Sequence, residues 1–393
     1  MRVLIAPTSF FSDYGGHIRI LEEMRVLADK GATVAVVTYY KGKDVAGLDI
    51  RRTAPLPWHT DYEVGSSRHK VAFDVYLAWQ SLIEARRFRP DIIHGHMHEG
   101  ALIGGALARL LHVPLVFDFQ GSLTAEMVDH HFLDPSGRVY PLAYRLERFI
   151  TRRLPDAILT SSRQATDLLR ESFAIPAARL HALPDCADID HFDPDKYPTP
   201  AAHPLRRQLS MPASVTLVGY LGLLTDYQGI PHLIDAAARL KARGAAVHFL
   251  VMGFPNVDMY KGQAGRAGVG DMMTFTGRIP FEKAPYYLAA CDLAVAPKIS
   301  TSEGSGKLLN YMAMGLPTVA YETAVNAEYL GDLGIYVPLG DVAAFAAAIQ
   351  SLAGDPVRRA ELGTALRWRA ASHFSWPATG DKILALYNQL TNS

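Results

Sequence analysis

Cysteine is nearly absent from this chain: Cys186 and Cys291 are the only two in 393 residues. Two thiols in so long a chain make no disulfide framework, and a reducing compartment, hence the cytoplasm, is the expectation. Cys291 lies in an apolar segment, where it serves as a small core residue. Net charge is absent too, with 39 basic against 39 acidic residues. That argues against nucleic acid as the main partner, because phosphate backbones are bound by a surplus of Lys and Arg. No apolar run is long enough to span a bilayer. The longest, Gly100 to Phe117, is broken by Arg109, His112 and Pro114 and reads as a buried helix followed by a strand. Between Met1-Arg2 and Pro7 stand only four apolar residues, too few for the core of a signal peptide. There is no short-period repeat and no low-complexity segment.

What is present is an ordinary globular composition, 49% hydrophobic and 20% charged. The length favours two domains. Short aliphatic runs alternate with helical patterns: Val3–Ala6, Val34–Thr38, Ile92–His94, Leu115–Phe119, Ala157–Thr160 and Leu180–Leu183 in the first half. Helices are expected between them, among them Ile18–Lys30, Val71–Arg87 and Tyr140–Arg153. Runs apolar throughout belong to strands covered on both faces, as in a parallel sheet. Asp188 to Met211 lacks an apolar period and is the linker candidate. The alternation then restarts, with runs at Val215–Gly219, Val247–Gly253, Met273–Thr276, Leu293–Ala296, Thr318–Tyr321 and Ile335–Val337. The expectation is α/β: two Rossmann-like, doubly wound domains at 1–195 and 196–375, and a terminal helix in 376–393 beginning near Pro377.

Several loops carry chemistry. The stretch Lys298 to Lys307, with Glu303, Gly304, Ser305 and Gly306, lies between a strand and a helix. Free backbone N–H groups at a helix start suit phosphate, and an acid beside phosphate suits the hydroxyls of a sugar. A salt bridge from Glu303 to its lysines is the plainer alternative. Gly15-Gly16 opens the first helix as a weak cradle or an ordinary turn. His94, His96 and His98 alternate beside a strand end. They suit a metal or, better, the lining of a substrate site, because no further carboxylate cluster completes a metal set. Asp118 and Gln120 flank the same edge. In the second half, Gly222 and Gly253 follow strands where backbone can approach a ligand. Asp188/Asp190 and Asp193/Asp195 are turn formers rather than metal ligands.

Taken together these residues resemble the retaining glycosyltransferases of the GT-B fold, the group 1 or family 4-like class. The resemblance covers nearly the whole chain, from the Gly15-Gly16 loop through Asp91-Ile92-Ile93-His94-Gly95-His96, Leu183 to Asp188 and Phe275-Thr276-Gly277-Arg278 to Glu303, Met312 to Pro317 and Glu328. It implies two domains facing across a cleft, with Phe374-Ser375-Trp376 leading a terminal helix back to the first domain. It implies a UDP-, GDP- or ADP-sugar as donor, retention at the anomeric carbon and no required metal or cofactor. Donor binding falls to the second domain, with Gly277, Arg278 and Ile279 near the base, Asn310 and Glu328 near ribose and phosphate, and Glu303 on the sugar. The family's Glu-x7-Glu pair has Tyr311 at its second position by strict count, or Asn310 if one residue is deleted before Gly315-Leu316-Pro317. The acceptor side takes Gly16, His96, Glu99, Asp118 and Gln120. Two departures stand out. The family's diphosphate Arg and Lys are here Leu223 and Gln228, and its His-Gly is Gln120-Gly121. Lys298 and Lys307 are the expected replacements. A binding subunit without catalysis, or a nucleotide-sugar epimerase or hydrolase, would share much of this pattern. The acceptor, whether glycan, lipid or small molecule, is open. The arginine-bearing stretches Tyr140–Arg153 and His69–Arg89 fit helices packed on one side and solvated on the other better than they fit an anionic membrane surface.

Overall fold

Apolar runs without alternation become parallel strands, since each side chain, up or down, meets a covering helix. The computed structural model describes residues 1–7, 16–42, 44–57, 70–129, 132–300 and 304–392. Residues 1–185 with 376–393 form one unit; 186–301 with 305–375 form another.

The first unit holds β1 (Arg2–Pro7), β2 (Thr33–Thr38), β3 (Asp49–Arg52), β4 (Ile92–His96), β5 (Leu115–Phe119), β6 (Ala157–Thr160) and β7 (Leu180–Ala182). They form one seven-stranded parallel sheet in the order β3-β2-β1-β4-β5-β6-β7. Its helices are α1 (Gly16–Asp29), α2 (Lys70–Phe88), α3 (Met97–Leu111), α4 (Leu123–Asp129), α5 (Tyr140–Arg153) and α6 (Arg163–Glu171). Alternate residues of each strand point to opposite faces. Leu4, Val37, Ile93 and Phe117 pack under α2, α3, α5 and α6. Val3, Ile5, Val36 and Leu159 pack under α1 and the chain's last helix. The edge strand β3 was not expected: Asp49-Ile50-Arg51-Arg52 has no apolar run, because an edge strand pairs on one side only.

The second unit holds α7 (Pro204–Gln208), β8 (Thr216–Leu221), α8 (Ile230–Ala242), β9 (Val247–Met252), α9 (Val257–Arg266), β10 (Met273–Gly277), α10 (Ala284–Ala289), β11 (Leu293–Ala296), α11 (Lys307–Ala313), β12 (Thr318–Tyr321), α12 (Ala324–Leu330), β13 (Ile335–Val337), α13 (Val342–Ala353) and α14 (Pro356–His373). Its six parallel strands run β10-β9-β8-β11-β12-β13. Cys291 is buried in its core, and neither cysteine is in a disulfide.

The chain leaves the first unit at Asp185, earlier than the expected boundary at 195. The candidate linker is packed structure: Phe192 and Leu205 sit in the core of the second unit. Its aspartates shape turns, Asp188 accepting from the His191 amide and Asp193 from the Asp195 amide and Arg367. Ala187 and Ser375 form a parallel bridge, so the second unit's entry and exit strands lie together. The last helix, α15 (Trp376–Thr391), then belongs to the first unit and packs along α1. Lys30 pairs with Asp381 across that contact. Among the described residues no helix is long and apolar enough to cross a membrane.

Candidate functional site

In a doubly wound sheet, ligands bind beyond the carboxyl ends of the strands where the strand order reverses. That point lies between β1 and β4 in the first unit and between β8 and β11 in the second. At the first, register places Pro7 beside His96 and His96 beside Asp118, in a row along the carboxyl edge. α1 starts just beyond β1, at Gly16; Gly15 and the rest of its loop lie outside the described residues.

One turn into α1 stands Arg19, almost fully buried. Its Nε donates to Asp118 Oδ2 at 2.9 Å and its Nη2 to Asp118 Oδ1 at 3.0 Å, a two-pronged grip on one carboxylate. Its Nη1 donates to Asp185 at 2.8 Å, and Glu23, four residues on, lies 3.0 Å from Nε. His96 Nδ1 is 2.9 Å from Asp118 Oδ2, and Gln120 Nε2 donates to the same oxygen at 2.9 Å. The His96 ring stacks on His94 at 4.3 Å between centroids, and His94 Nδ1 meets the Tyr387 hydroxyl of α15 at 2.7 Å. A chain of contacts thus runs from Asp185 through α1, β5 and β4 to the last helix.

The electrostatics follow from burial. Burial disfavours the Asp118 carboxylate, but the Arg19 guanidinium and the His96 ring outweigh it and hold the carboxyl well below its ordinary range. Glu23 is pushed up to about 7, chiefly by burial, with Arg19 pulling the other way and Asp118 adding to the rise. Burial, then the neighbouring His96, holds His94 neutral, well below its usual range.

The sequence offered no carboxylates to complete a metal set, yet the fold brings two to the histidines. Donor atoms of Glu23, His94, His96 and Asp118 all lie within 4.8 Å of one another. Arg19 already stands between the two acids as their cation, and a divalent ion there would face a fixed positive charge. His98 goes elsewhere: its Nε2 is 3.5 Å from Glu147, which also accepts from Thr124 Oγ1 at 2.6 Å and from the first amides of α4. Burial lowers its pKa. All three histidines are therefore inside the unit, whereas Gln120 and Glu99 are half-buried.

The second switch point is built differently. Gly222 follows β8 with φ +152, and a Cβ there would stand 2.8 Å from Lys307 Nζ. At Gly253, after β9, a Cβ would stand 1.8 Å from the Gly222 carbonyl, and at Gly229 1.9 Å from that of Pro297. Only glycine fits these two close approaches. Lys307, the first residue of α11, donates to Gln228 Oε1 at 2.7 Å and to the Tyr220 hydroxyl at 3.2 Å. Its ammonium lies 4.5 Å over the Tyr220 ring. Lys298 and Ser305 are buried, and Ser305 Oγ has no partner among the described residues. Gly304 is half-buried and Gly306 exposed; Glu303 lies outside the described residues.

Tyr311 is fully buried, and its hydroxyl accepts from the Leu221 amide at 2.7 Å. Asn310 beside it is half-buried. After Gly277, whose φ of +72 turns the chain, Arg278 is exposed with its guanidinium 4.9 Å over Phe254, and Ile279 is half-buried. Glu328 is half-buried on α12, where its carbonyl accepts from Arg369. Sequence reasoning missed Arg19, Glu23, Tyr220 and Tyr387.

Comparison with known proteins bears on both units. Residues 15–186 match the family described as glycosyl transferase 4-like domain, and residues 215–355 match glycosyl transferases group 1. A 2-deoxystreptamine N-acetyl-D-glucosaminyltransferase from Streptomyces fradiae is 29% identical over 374 residues, covering 90% of this chain and 85% of that protein. A 2-deoxystreptamine glucosyltransferase from Streptomyces kanamyceticus is 27% identical, covering 90% of this chain and 93% of that one. Among solved structures, a sucrose-phosphate synthase from Thermosynechococcus elongatus superposes with a TM-score of 0.83 at 20% identity, covering 100% of this chain and 99% of that one. HepE of Anabaena in complex with UDP gives 0.74 at 18%, covering 99% and 100%. The likeness to these structures is one of fold.

Proposed function

Since the chain belongs to the group 1 glycosyltransferases, we propose that it moves a sugar from a UDP-, GDP- or ADP-sugar to a hydroxyl of a polyhydroxylated acceptor, with retention at the anomeric carbon and without a required metal. The second unit takes the donor and the first takes the acceptor. The observation that carries the reading is Lys307, held by Gln228 and Tyr220 against the Gly222 turn. Departure of a nucleoside diphosphate builds negative charge that a preorganised cation and free backbone N–H groups stabilise. The loop after β8 has Leu223 and Gln228 where the family carries cations, and Gln228 instead holds the ammonium of Lys307. Lys298, buried after β11, is the second cation in this reading. Gly222 and Gly253 allow backbone to approach the diphosphate, and Ser305, Gly304 and Gly306 offer it polar atoms. Arg278 and Ile279 flank the base. The Tyr311 hydroxyl is committed to Leu221, so Asn310 serves the ribose. Glu303 bears on the donor sugar. On the acceptor side Gln120 makes the contact, while Asp118 and His96 hold it in place. The departing diphosphate takes the acceptor proton, which removes the need for a separate base.

Two related proteins act, by name, on 2-deoxystreptamine, a ring of hydroxyl and amino groups, and this favours a polyhydroxylated acceptor. The test is calorimetry with UDP, GDP, ADP and their common sugar conjugates, in chelator and then with divalent metal, followed by NMR of the product's anomeric proton. Metal-independent binding of one diphosphate and a retained configuration are expected. Binding to none, or an epimerised or merely hydrolysed donor, would overturn the reading.

A further inference from the structure

In the first unit α3 packs between α2 and α5, all three on one face of the sheet. Their inner sides feed the core. Their outer sides are not what a solvated helix presents. On α2, Val71, Val75 and Trp79 follow one another at single-turn spacing with 71%, 63% and 65% of their surface exposed. On α5, Leu142, Leu146 and Phe149 repeat this at 68%, 47% and 50%. Leu102 of α3 is exposed between them. Scattered apolar residues need no explanation, but two exposed stripes on helices that both pack against a third do.

The exposed charges on the same helices are of one sign. Arg86 and Arg87 of α2, Arg109 of α3, and Arg145, Arg152 and Arg153 of α5 are exposed. The acids of the three helices are turned inward or half-covered: Asp74 accepts from Tyr39, Glu84 from Arg51 and Glu147 from Thr124, while Glu99 is half-buried. None of the four is exposed, in a chain whose 39 acids balance 39 bases overall. A second copy of the chain does not suit this face. A two-fold interface sets a patch against itself, and the arginines of one copy would meet those of the other. Nucleic acid would leave the aliphatic stripes uncovered.

We propose that the outer surface of α2, α3 and α5 docks on an anionic lipid bilayer. The apolar stripes enter the boundary between headgroups and acyl chains, and the arginines pair with lipid phosphates above it. The docking does not depend on which nucleotide sugar the second unit takes.

Flotation of the full-length protein with vesicles of phosphatidylcholine, with and without a large share of phosphatidylglycerol, tests this. The bound fraction should rise about tenfold with the anionic lipid and fall back in high salt. Leu142→Ser with Phe149→Ser, and separately Arg145→Glu with Arg152→Glu, should each cut binding about tenfold. Both pairs should keep the wild-type melting temperature, because all four side chains are exposed. Absence of flotation, or flotation that both variant pairs leave unchanged, overturns the proposal. So does light scattering that shows a wild-type dimer falling to monomer in the Leu142→Ser, Phe149→Ser variant, for then a second copy covers the face.

Discussion

The two switch points use opposite materials. The first is a knot of side chains: a buried guanidinium shared by three carboxylates, with two histidines and a tyrosine locked behind it. The second is built of backbone, with glycines whose missing Cβ leaves room for the carbonyls of Gly222 and Pro297, and a lysine laid across a tyrosine ring. Side chains at that density can define a rigid floor but have little left to offer a ligand. At the glycines the N–H groups donate within the unit, Gly222 to Met252, Gly229 to Asp226 and Gly253 to Gly277, so these turns set the frame in which Lys307 sits. In the proposed reading the first unit supplies shape and the second supplies the ligand chemistry. On that reading, substitutions in the first cost stability and substitutions in the second cost binding.

The largest expected effect is Arg19→Met. Removing the shared cation leaves Asp118 and Glu23 buried without compensation, a loss of about 3–5 kcal/mol in urea unfolding. Nucleotide affinity by calorimetry should change little, and a variant with wild-type stability would dissolve the contrast. Lys307→Ala should do the reverse, lowering kcat/KM by about a hundredfold, as removal of one preorganised charge-stabilising group does elsewhere. Its melting temperature should stay near wild type, and retention of full turnover and donor affinity would remove this lysine from the site. Tyr387→Phe leaves the buried His94 Nδ1 without its partner, and about 1 kcal/mol of stability should go with it. That loss, read by thermal unfolding, should appear in the first unit though the residue lies near the far end of the chain.

A different kind of effect is a slope. Glu23 has its pKa raised from 4.5 to about 7 in the folded state, so between those values the folded protein holds a proton that the unfolded chain has lost. Its contribution is complete below the lower value and disappears as pH rises through the upper one. His94 acts in the opposite sense, its lowered pKa costing stability as pH falls below its usual 6.5. Glu23→Gln isolates the first contribution. Between pH 5 and pH 8 the wild-type melting temperature should fall by several degrees relative to this variant. Parallel curves would mean that Arg19 keeps the acid ionised throughout.

Much of the architecture could be read from the residues because central strands of a parallel sheet announce themselves. Leu115–Phe119 and Leu293–Ala296 are buried at every position, and nothing polar interrupts them apart from Asp118. The edge strand Asp49–Arg52 could not be read this way, since one side of it meets water. The misread linker is a second kind of failure. Phe192 and Leu205 are too far apart to make a period, and each is anchored by distant partners in the second unit. At the sites, glycines after strands were legible because close backbone approach leaves a residue-type signature. Arg19 and Glu23 were not, because an Arg and a Glu one turn apart on a helix ordinarily mark its wet side. Aligning on Gly315-Leu316-Pro317 already favours Asn310 over Tyr311, and the helix turns the tyrosine inward to Leu221.

α15 follows the whole second unit along the chain, yet it covers a sheet that precedes that unit. Residues 376–391 supply part of the cover over the first unit's sheet, where Ile383, Leu386 and Tyr387 close over Ile5, Val36 and Leu159. On the ribosome that sheet must wait, one face incompletely covered, while the whole second unit is synthesised. The amino-terminal half of the chain is therefore the last part to reach its finished state. A chain stopped short before Trp376 would be damaged at its beginning.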